Sequence, residues 1–163
     1  MSSLEKIVIS ACLLGEKVRY DGNGNGLDSD LLELWQAQGR LLVICPEVAG
    51  GLGIPRPAAE ITGGDGHSVR SKNASIVTID GDDVTAQFTQ GAEMALKLAL
   101  KHKCRYAILA ARSPSCGNEL IYDGSFQNRL KAGVGVTTAL LQQNGIQVFN
   151  QTQLQQLNSL LDS

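Results

Sequence analysis

Short apolar runs separated by longer stretches of helical periodicity predict an α/β fold. The expected architecture is a single-domain, Rossmann-like sheet, mostly parallel, with helices on both faces and a small extra hairpin around residues 61–80. Two further observations support it. No internal repeat, low-complexity segment or interdomain linker interrupts the pattern, so one domain over residues 1–163 is expected. Apolar residues make up 43% of the chain against 18% charged, which is a globular balance and not a disordered one.

The elements follow in order. Lys6 to Ser10 is an apolar, β-branched run that reads as a buried parallel strand. Asp30 to Gln38 places Leu31, Leu34 and Trp35 on one helical face, and Gly39 ends it. Leu41 to Ile44 is the second strand. Gly63 to Gly66 is a turn, and Ala74 to Asp80 alternates enough for a small strand outside the main sheet. Asp83 is the expected cap of a long helix reaching about Lys103, with Val84, Phe88, Ala92, Ala95 and Ala99 at helical spacing. Lys97, Lys101, His102 and Lys103 then sit at its negative end. Tyr106 to Leu109 is a third strand. Val134 to Asn144 is a helix closed by Gly145, Ile146 to Phe149 is a fourth strand, and Thr152 to Leu161 is a last short helix.

Composition narrows the function classes. The formal net charge is −2 with acidic and basic residues interspersed, so no basic face exists to grip duplex nucleic acid. No apolar run approaches the roughly 20 residues that span a bilayer. Met1 to Lys6 leads straight into a strand pattern, without the shape of a secretory leader, and a cytoplasmic protein is expected. The expected partner is a small molecule, with a homodimer as the assembly to test.

Four cysteines in a reducing compartment call for a reason other than disulfides. None forms a C-x-x-C pair, so zinc-ribbon and thioredoxin patterns are absent. Their placement is more informative than their spacing. Ligands of open α/β sheets bind beyond the carboxyl ends of the strands. Cys12 follows the first strand, Cys45 follows the second directly, and Cys116 lies in the loop after the third. Cys104 precedes that third strand, at the opposite edge, and reads as a small buried hydrophobe. The loops around Cys12, Cys45 and Cys116 are rich in Gly, Pro and Ser, residues that shape turns. Zinc with three cysteines usually takes a histidine too, but His67 and His102 are not in such loops. A four-iron cluster held by three thiolates fits better, and it leaves one iron open as a Lewis acid.

Three long motifs then resemble one family. They are Ser10-Ala11-Cys12-Leu13-Leu14-Gly15 with Val18-Arg19-Tyr20-Asp21-Gly22, Cys45-Pro46-Glu47-Val48-Ala49-Gly50-Gly51-Leu52 with Pro55-Arg56-Pro57, and Arg112-Ser113-Pro114-Ser115-Cys116-Gly117 with Ile121-Tyr122-Asp123-Gly124. In this order, over about Lys6 to Phe149, they resemble the thiouracil desulfidase family, formerly a domain of unknown function. The resemblance implies a [4Fe-4S] cluster on Cys12, Cys45 and Cys116. It also implies a non-redox removal of sulfur from thiolated pyrimidines, thiouracil or thiouridine nucleotides, giving the oxo form and sulfide. Two positions depart from the pattern. Ala110-Ala111 stands where a Leu-Lys pair is expected, close to the site, and Gln151 stands where an acidic residue is common, a change read as structural.

Such a reaction needs a general acid/base near the attacking water and the ring nitrogen. Glu47, two residues from a cysteine ligand, is the candidate, against the plainer role of a solvated or capping glutamate. Ser113 and Ser115 are candidates to orient substrate or to donate to the cluster, against turn stabilisation. Arg19, Tyr20, Asp21 and Arg56 are candidates for substrate binding, with Arg19 or Arg56 suited to a phosphate and a structural ion pair as the alternative. Gly22-Asn23-Gly24-Asn25-Gly26 lacks the strand–turn–helix setting of a phosphate loop and reads as a mobile turn. Two other classes compete with the enzyme: a cluster carrier or redox sensor using the same thiolates, and a metal-free binding protein.

Overall fold

The computed structural model describes residues 4–14, 30–54 and 56–161. Along the chain come β1 (Ile7–Ser10), a 3-10 turn (Ala11–Leu14), α1 (Asp30–Ala37), β2 (Leu41–Ile44), α2 (Pro46–Ala49), β3 (Ala59–Thr62), α3 (Gly66–Arg70) and β4 (Ser75–Thr78). Then follow α4 (Thr85–Lys101), β5 (Tyr106–Ile108), β6 (Leu120–Tyr122), β7 (Leu130–Ala132), α5 (Val136–Gln143), β8 (Gln147–Phe149) and α6 (Leu154–Leu161).

All four main strands pair in parallel, in the order β2-β1-β5-β8. Ile7 sits opposite Leu41 on one side and Tyr106 on the other, and Tyr106 in turn faces Gln147. From β1 the chain moves outward to β2 and later returns to build β5 and β8 on the opposite side. The crossover direction therefore reverses between β1 and β5, which makes the carboxyl end of that pair the natural ligand crevice.

Strand alternation assigns the two faces. Ile7, Ile9, Tyr106 and Ile108 pack against Leu32 and Trp35 of α1 and against Leu154 and Leu157 of α6. Val8, Ala107, Leu109 and Val148 point the other way, toward Ala99 of α4 and Leu141 of α5. Helices thus cover both faces, as the apolar runs of fully buried strands require.

Two hairpins lie outside the sheet. β3 and β4 pair antiparallel, with Ile61 opposite Ile76, in the region expected for an extra hairpin. β6 and β7 form a second hairpin that the sequence pattern did not show, because its strands are three residues each and half exposed. Ile61, Ile76, Phe88, Ile121 and Val136 join both hairpins to α4 and α5 through a third apolar cluster.

Some element ends differ from expectation. Asp83 accepts the Thr85 N–H at 2.8 Å, yet Val84 is the residue at the cap position, and the helix ends at Lys101. Gly145 does take positive φ, +81°, just past the Asn144 cap of α5. Thr152 stays outside α6, its N–H and hydroxyl held by Asn150 Oδ1 at 2.9 and 2.6 Å.

Glycine sets the distance between α2 and α4. A Cβ on Gly91 would fall 1.8 Å from the Pro46 carbonyl oxygen, and one on Gly50 would fall 1.9 Å from that of Gln87. The short helix that follows Cys45 therefore rests backbone-to-backbone on α4. Gly91→Ala is expected to lower stability by about 1–3 kcal/mol through this overpacking. Thermal unfolding measures the effect.

Candidate active site

A cavity of about 670 Å³ opens at the carboxyl ends of β1, β2 and β5. Its size suits a small molecule. Cys12, Cys45 and Cys116 all line it, as do Glu47, Arg56 and Ser113. Cys104 lies elsewhere, packed with Val8, Ala99 and Ile146 in the α4–α5 layer.

Local structure delivers each thiol. Cys12 lies in the 3-10 turn directly after β1 and is half-buried. Cys45 caps α2 in an extended conformation, with Pro46 starting the helix in its preset φ. Cys116 is buried, in a turn where its N–H donates to Ser113 Oγ at 2.7 Å and Gly117 N–H donates to the Ser113 carbonyl at 3.0 Å. That turn is anchored to the start of α5. The N–H groups of Val136 and Thr137, which have no partner within the helix, donate to the carbonyls of Pro114 and Ser115 at 2.8 Å. Thr138 Oγ1 donates to the Cys116 carbonyl at 2.9 Å. Gly135 makes this docking possible, because a Cβ there would come within 2.4 Å of the Ser115 backbone.

The sulfur of Cys116 has its own partners. The Ser10 hydroxyl donates to it at 3.7 Å while accepting the Ala110 N–H at 3.2 Å, and the Cys116 thiol donates to Ser115 Oγ at 3.5 Å. Burial pushes the Cys116 thiol up to about 12, opposed by the Ser115 and Ser10 hydrogen bonds and reinforced by the charges of Glu47 and Cys12. Burial also raises Cys45, with the Val48 backbone N–H opposing it and Glu47 reinforcing it. Glu47 thus acts on both Cys45 and Cys116, and Cys12 acts on Cys116. Bringing several thiolates together there requires a cation.

The donor set fits an iron–sulfur cluster. Among the described residues, no three His, Cys, Asp or Glu side chains converge as tightly as one metal ion demands. Three thiols on one cavity wall, from three separate strand ends, suit a polynuclear cluster whose ligands stand farther apart.

Cys104 behaves differently. Burial lifts its thiol to about 11, with Glu5 adding to the rise and Lys6 opposing it. A raised folded-state value means stability that is complete below the unfolded thiol range and is lost as pH rises toward 11. Cys104→Ala is expected to flatten this alkaline loss, measured as denaturant midpoints between pH 8 and about 11.

The remaining expected site residues divide. Glu47 pairs with Arg56, which also donates to the Gly53 carbonyl at 2.9 Å, and both side chains are largely buried. Arg56 makes this ion pair while also lining the cavity. Ser113 faces the cavity, but Ser115 does not: it is buried and shares a 2.7 Å hydrogen bond with Thr137 Oγ1. Arg19, Tyr20 and Asp21, with the glycine-rich stretch after them, lie outside the described residues.

Three wall residues were not among the expected site residues: Ser10, Gln151 and Glu60. Ser10 ends β1, where the strand-end rule would have found it. Gln151 lines the cavity and accepts the Ala111 N–H at 3.0 Å, so both departures from the family pattern meet there. Glu60, a buried charge inside an apolar strand, lines the far side.

Comparison with known proteins agrees with this geometry. The 2-thiouracil desulfurase family profile matches residues 7–153. An uncharacterized protein of Bacillus subtilis (strain 168), YbbK, is 39% identical over 148 residues, covering 91% of this chain and 97% of that protein. The solved structure of TudS, a [4Fe-4S]-dependent thiouracil desulfidase, superposes with a TM-score of 0.88 at 50% identity. It covers 97% of this chain and 98% of its own.

Proposed function

Because the chain belongs to the 2-thiouracil desulfurase family, we propose that this cavity is its active site, with a [4Fe-4S] cluster on Cys12, Cys45 and Cys116 and Glu47 as the proton-transfer group. The protein is an enzyme, an iron–sulfur-dependent desulfidase that removes sulfur from thiouracil. The observation that carries the residue assignment is the meeting of three strand-end thiols and the Glu47–Arg56 pair on one cavity.

When bound, the cluster supplies an iron with an open coordination position, a Lewis acid toward sulfur. The chain's own residues supply the rest. The net reaction exchanges a C=S bond for C=O: water oxygen bonds the ring carbon, and both water protons leave with sulfur as hydrogen sulfide. Arg56 holds Glu47 through Oε2, which leaves Oε1 to take a proton from water and return it to the leaving group. Ser113, its oxygen already accepting the Cys116 N–H, keeps its O–H to donate toward substrate. Ser10 and Ser115 position the Cys116 sulfur from either side.

We read residues 1–163 as one desulfidase domain, acting in the cytoplasm on free thiolated pyrimidines or their nucleosides and nucleotides. Among the described residues no helix is long and apolar enough to cross a membrane. Arg19, Tyr20 and Asp21 are kept as substrate-binding candidates on the motif alone. The test is anaerobic reconstitution followed by incubation with 2-thiouracil. Equal amounts of uracil and sulfide are expected; a loaded protein that releases no sulfide supports the carrier reading and overturns this one.

A further inference from the structure

The cavity extends well beyond the thiols. Its far wall is made by the β3–β4 and β6–β7 hairpins, and in that wall stands a second carboxylate. Glu60 is 8% exposed and lies in the middle of β3, a strand that is otherwise apolar or half-buried. A buried charge of this kind is costly unless it is satisfied. Half of Glu60 is: its Oε1 accepts the N–H groups of Gly124 at 2.9 Å and Phe126 at 3.2 Å. Those contacts hold the β6–β7 loop, where Gly124, Phe126 and Asn128 all take positive φ. The other oxygen, Oε2, meets no hydrogen-bond donor among the described residues and is not sealed from solvent, and Glu60 lines the cavity.

An ionised carboxylate oxygen only accepts. An anchored one without a protein donor, on a ligand cavity, is a built acceptor site for the ligand. From the desulfidase reading, on which this inference rests, we infer that Glu60 is a specificity-determining residue. Its free oxygen accepts a hydrogen bond from a donor group of the thiolated pyrimidine substrate. That donor is a ring N–H of the base or a hydroxyl of an attached sugar. Glu47 then serves the thiol end of the cavity and Glu60 the recognition end. The same carboxylate ties recognition to the loop conformation, because the oxygen that grips Gly124 and Phe126 belongs to the group that meets substrate.

Glu60→Gln isolates the contact. The amide oxygen still accepts the two loop N–H groups, and the amide nitrogen then presents a donor where substrate needs an acceptor. Loaded wild type and E60Q are compared with 2-thiouracil and with 2-thiouridine, and binding of the products uracil and uridine is measured by calorimetry. KM and product Kd are expected to rise about 10- to 100-fold, as for loss of one charge-assisted hydrogen bond, with kcat held within about threefold. A rise for both pairs identifies a ring N–H; a rise for the nucleoside pair alone identifies a sugar hydroxyl. KM and Kd within about twofold of wild type for both pairs overturn the inference. Should E60Q fail to fold or load, wild type is tested with 2-thiouracil N-methylated at each ring nitrogen and with deoxy forms of 2-thiouridine. Discrimination below about threefold against all of them overturns it equally. Wild type inactive on both substrates overturns the desulfidase reading itself, whereas an active wild type with an indifferent E60Q overturns only the role of Glu60.

Discussion

Cys116→Ser is expected to leave a folded, colourless protein with iron and acid-labile sulfide near background and no sulfide release from 2-thiouracil. Cys116 is the most buried of the three cavity thiols, and its neighbours Ser10 and Ser115 are hydroxyls already engaged with it. Cys104 shares an apolar cluster with Cys116 but stands before β5, at the opposite edge of the sheet, and does not line the cavity, so it is not placed to replace it. A serine hydroxyl has nearly the same shape but does not ionise to a soft ligand, so packing survives while iron ligation does not. Burial pushes this thiol up to about 12 even with the Ser115 and Ser10 hydrogen bonds opposing it, so a thiolate there depends strongly on a bound metal. Cys12→Ser and Cys45→Ser should also lose or destabilise the cluster, and Cys104→Ser should keep it. Iron analysis and visible absorption after anaerobic reconstitution decide the matter. Full cluster in all three cavity variants would refute the ligand assignment.

Glu47→Gln is expected to retain the cluster yet lower kcat by about 10²- to 10⁴-fold, the range for removing a general acid/base. The substitution is nearly isosteric, and the amide oxygen can still accept from Arg56, so the loop after Cys45 should keep its form. What disappears is a group able to take a proton from water and pass it on. Steady-state turnover together with iron content separates the outcomes. A large loss of kcat with iron at the wild-type level supports the role, and wild-type turnover would remove Glu47 from the mechanism. Arg56→Ala, which frees the carboxylate to leave its position, should reduce kcat less than Glu47→Gln, because the proton-transfer group itself remains.

The sequence pattern carried the main architecture because the two inner strands, β1 and β5, are buried on both faces. A run such as Ile7-Val8-Ile9 has to be apolar throughout, and this leaves a local signal. The same logic brought Cys12, Cys45 and Cys116 to one edge and set Cys104 at the other. The β6–β7 hairpin left no comparable signal: Leu120, Leu130 and Ala132 are exposed, and only Ile121 is fully buried. Its place beside the cavity depends on contacts such as Glu60 with Gly124, separated by 64 residues. Arg112 shows the same limit. Its φ of +76° lies in a region that side chains disfavour, and nothing in its local sequence announces it.

Taken alone, the amino-acid order determined an α/β sheet and three strand-end thiols with a glutamate two residues from one of them, a pattern that favours an iron–sulfur cluster, which the family resemblance then implies. These properties are local: strand periodicity, turn chemistry and position relative to a strand end are written within ten residues. The tertiary structure alone decided which hydroxyls hold Cys116, that Arg56 pairs with Glu47, that Ser115 meets Thr137 and does not line the cavity, and that Glu60 of the cavity wall holds the Gly124 backbone. Each of those outcomes is a pairing between groups far apart in sequence. Such pairings are settled by which buried polar group finds a partner once the elements have packed, and one chain's order does not encode them within any short window.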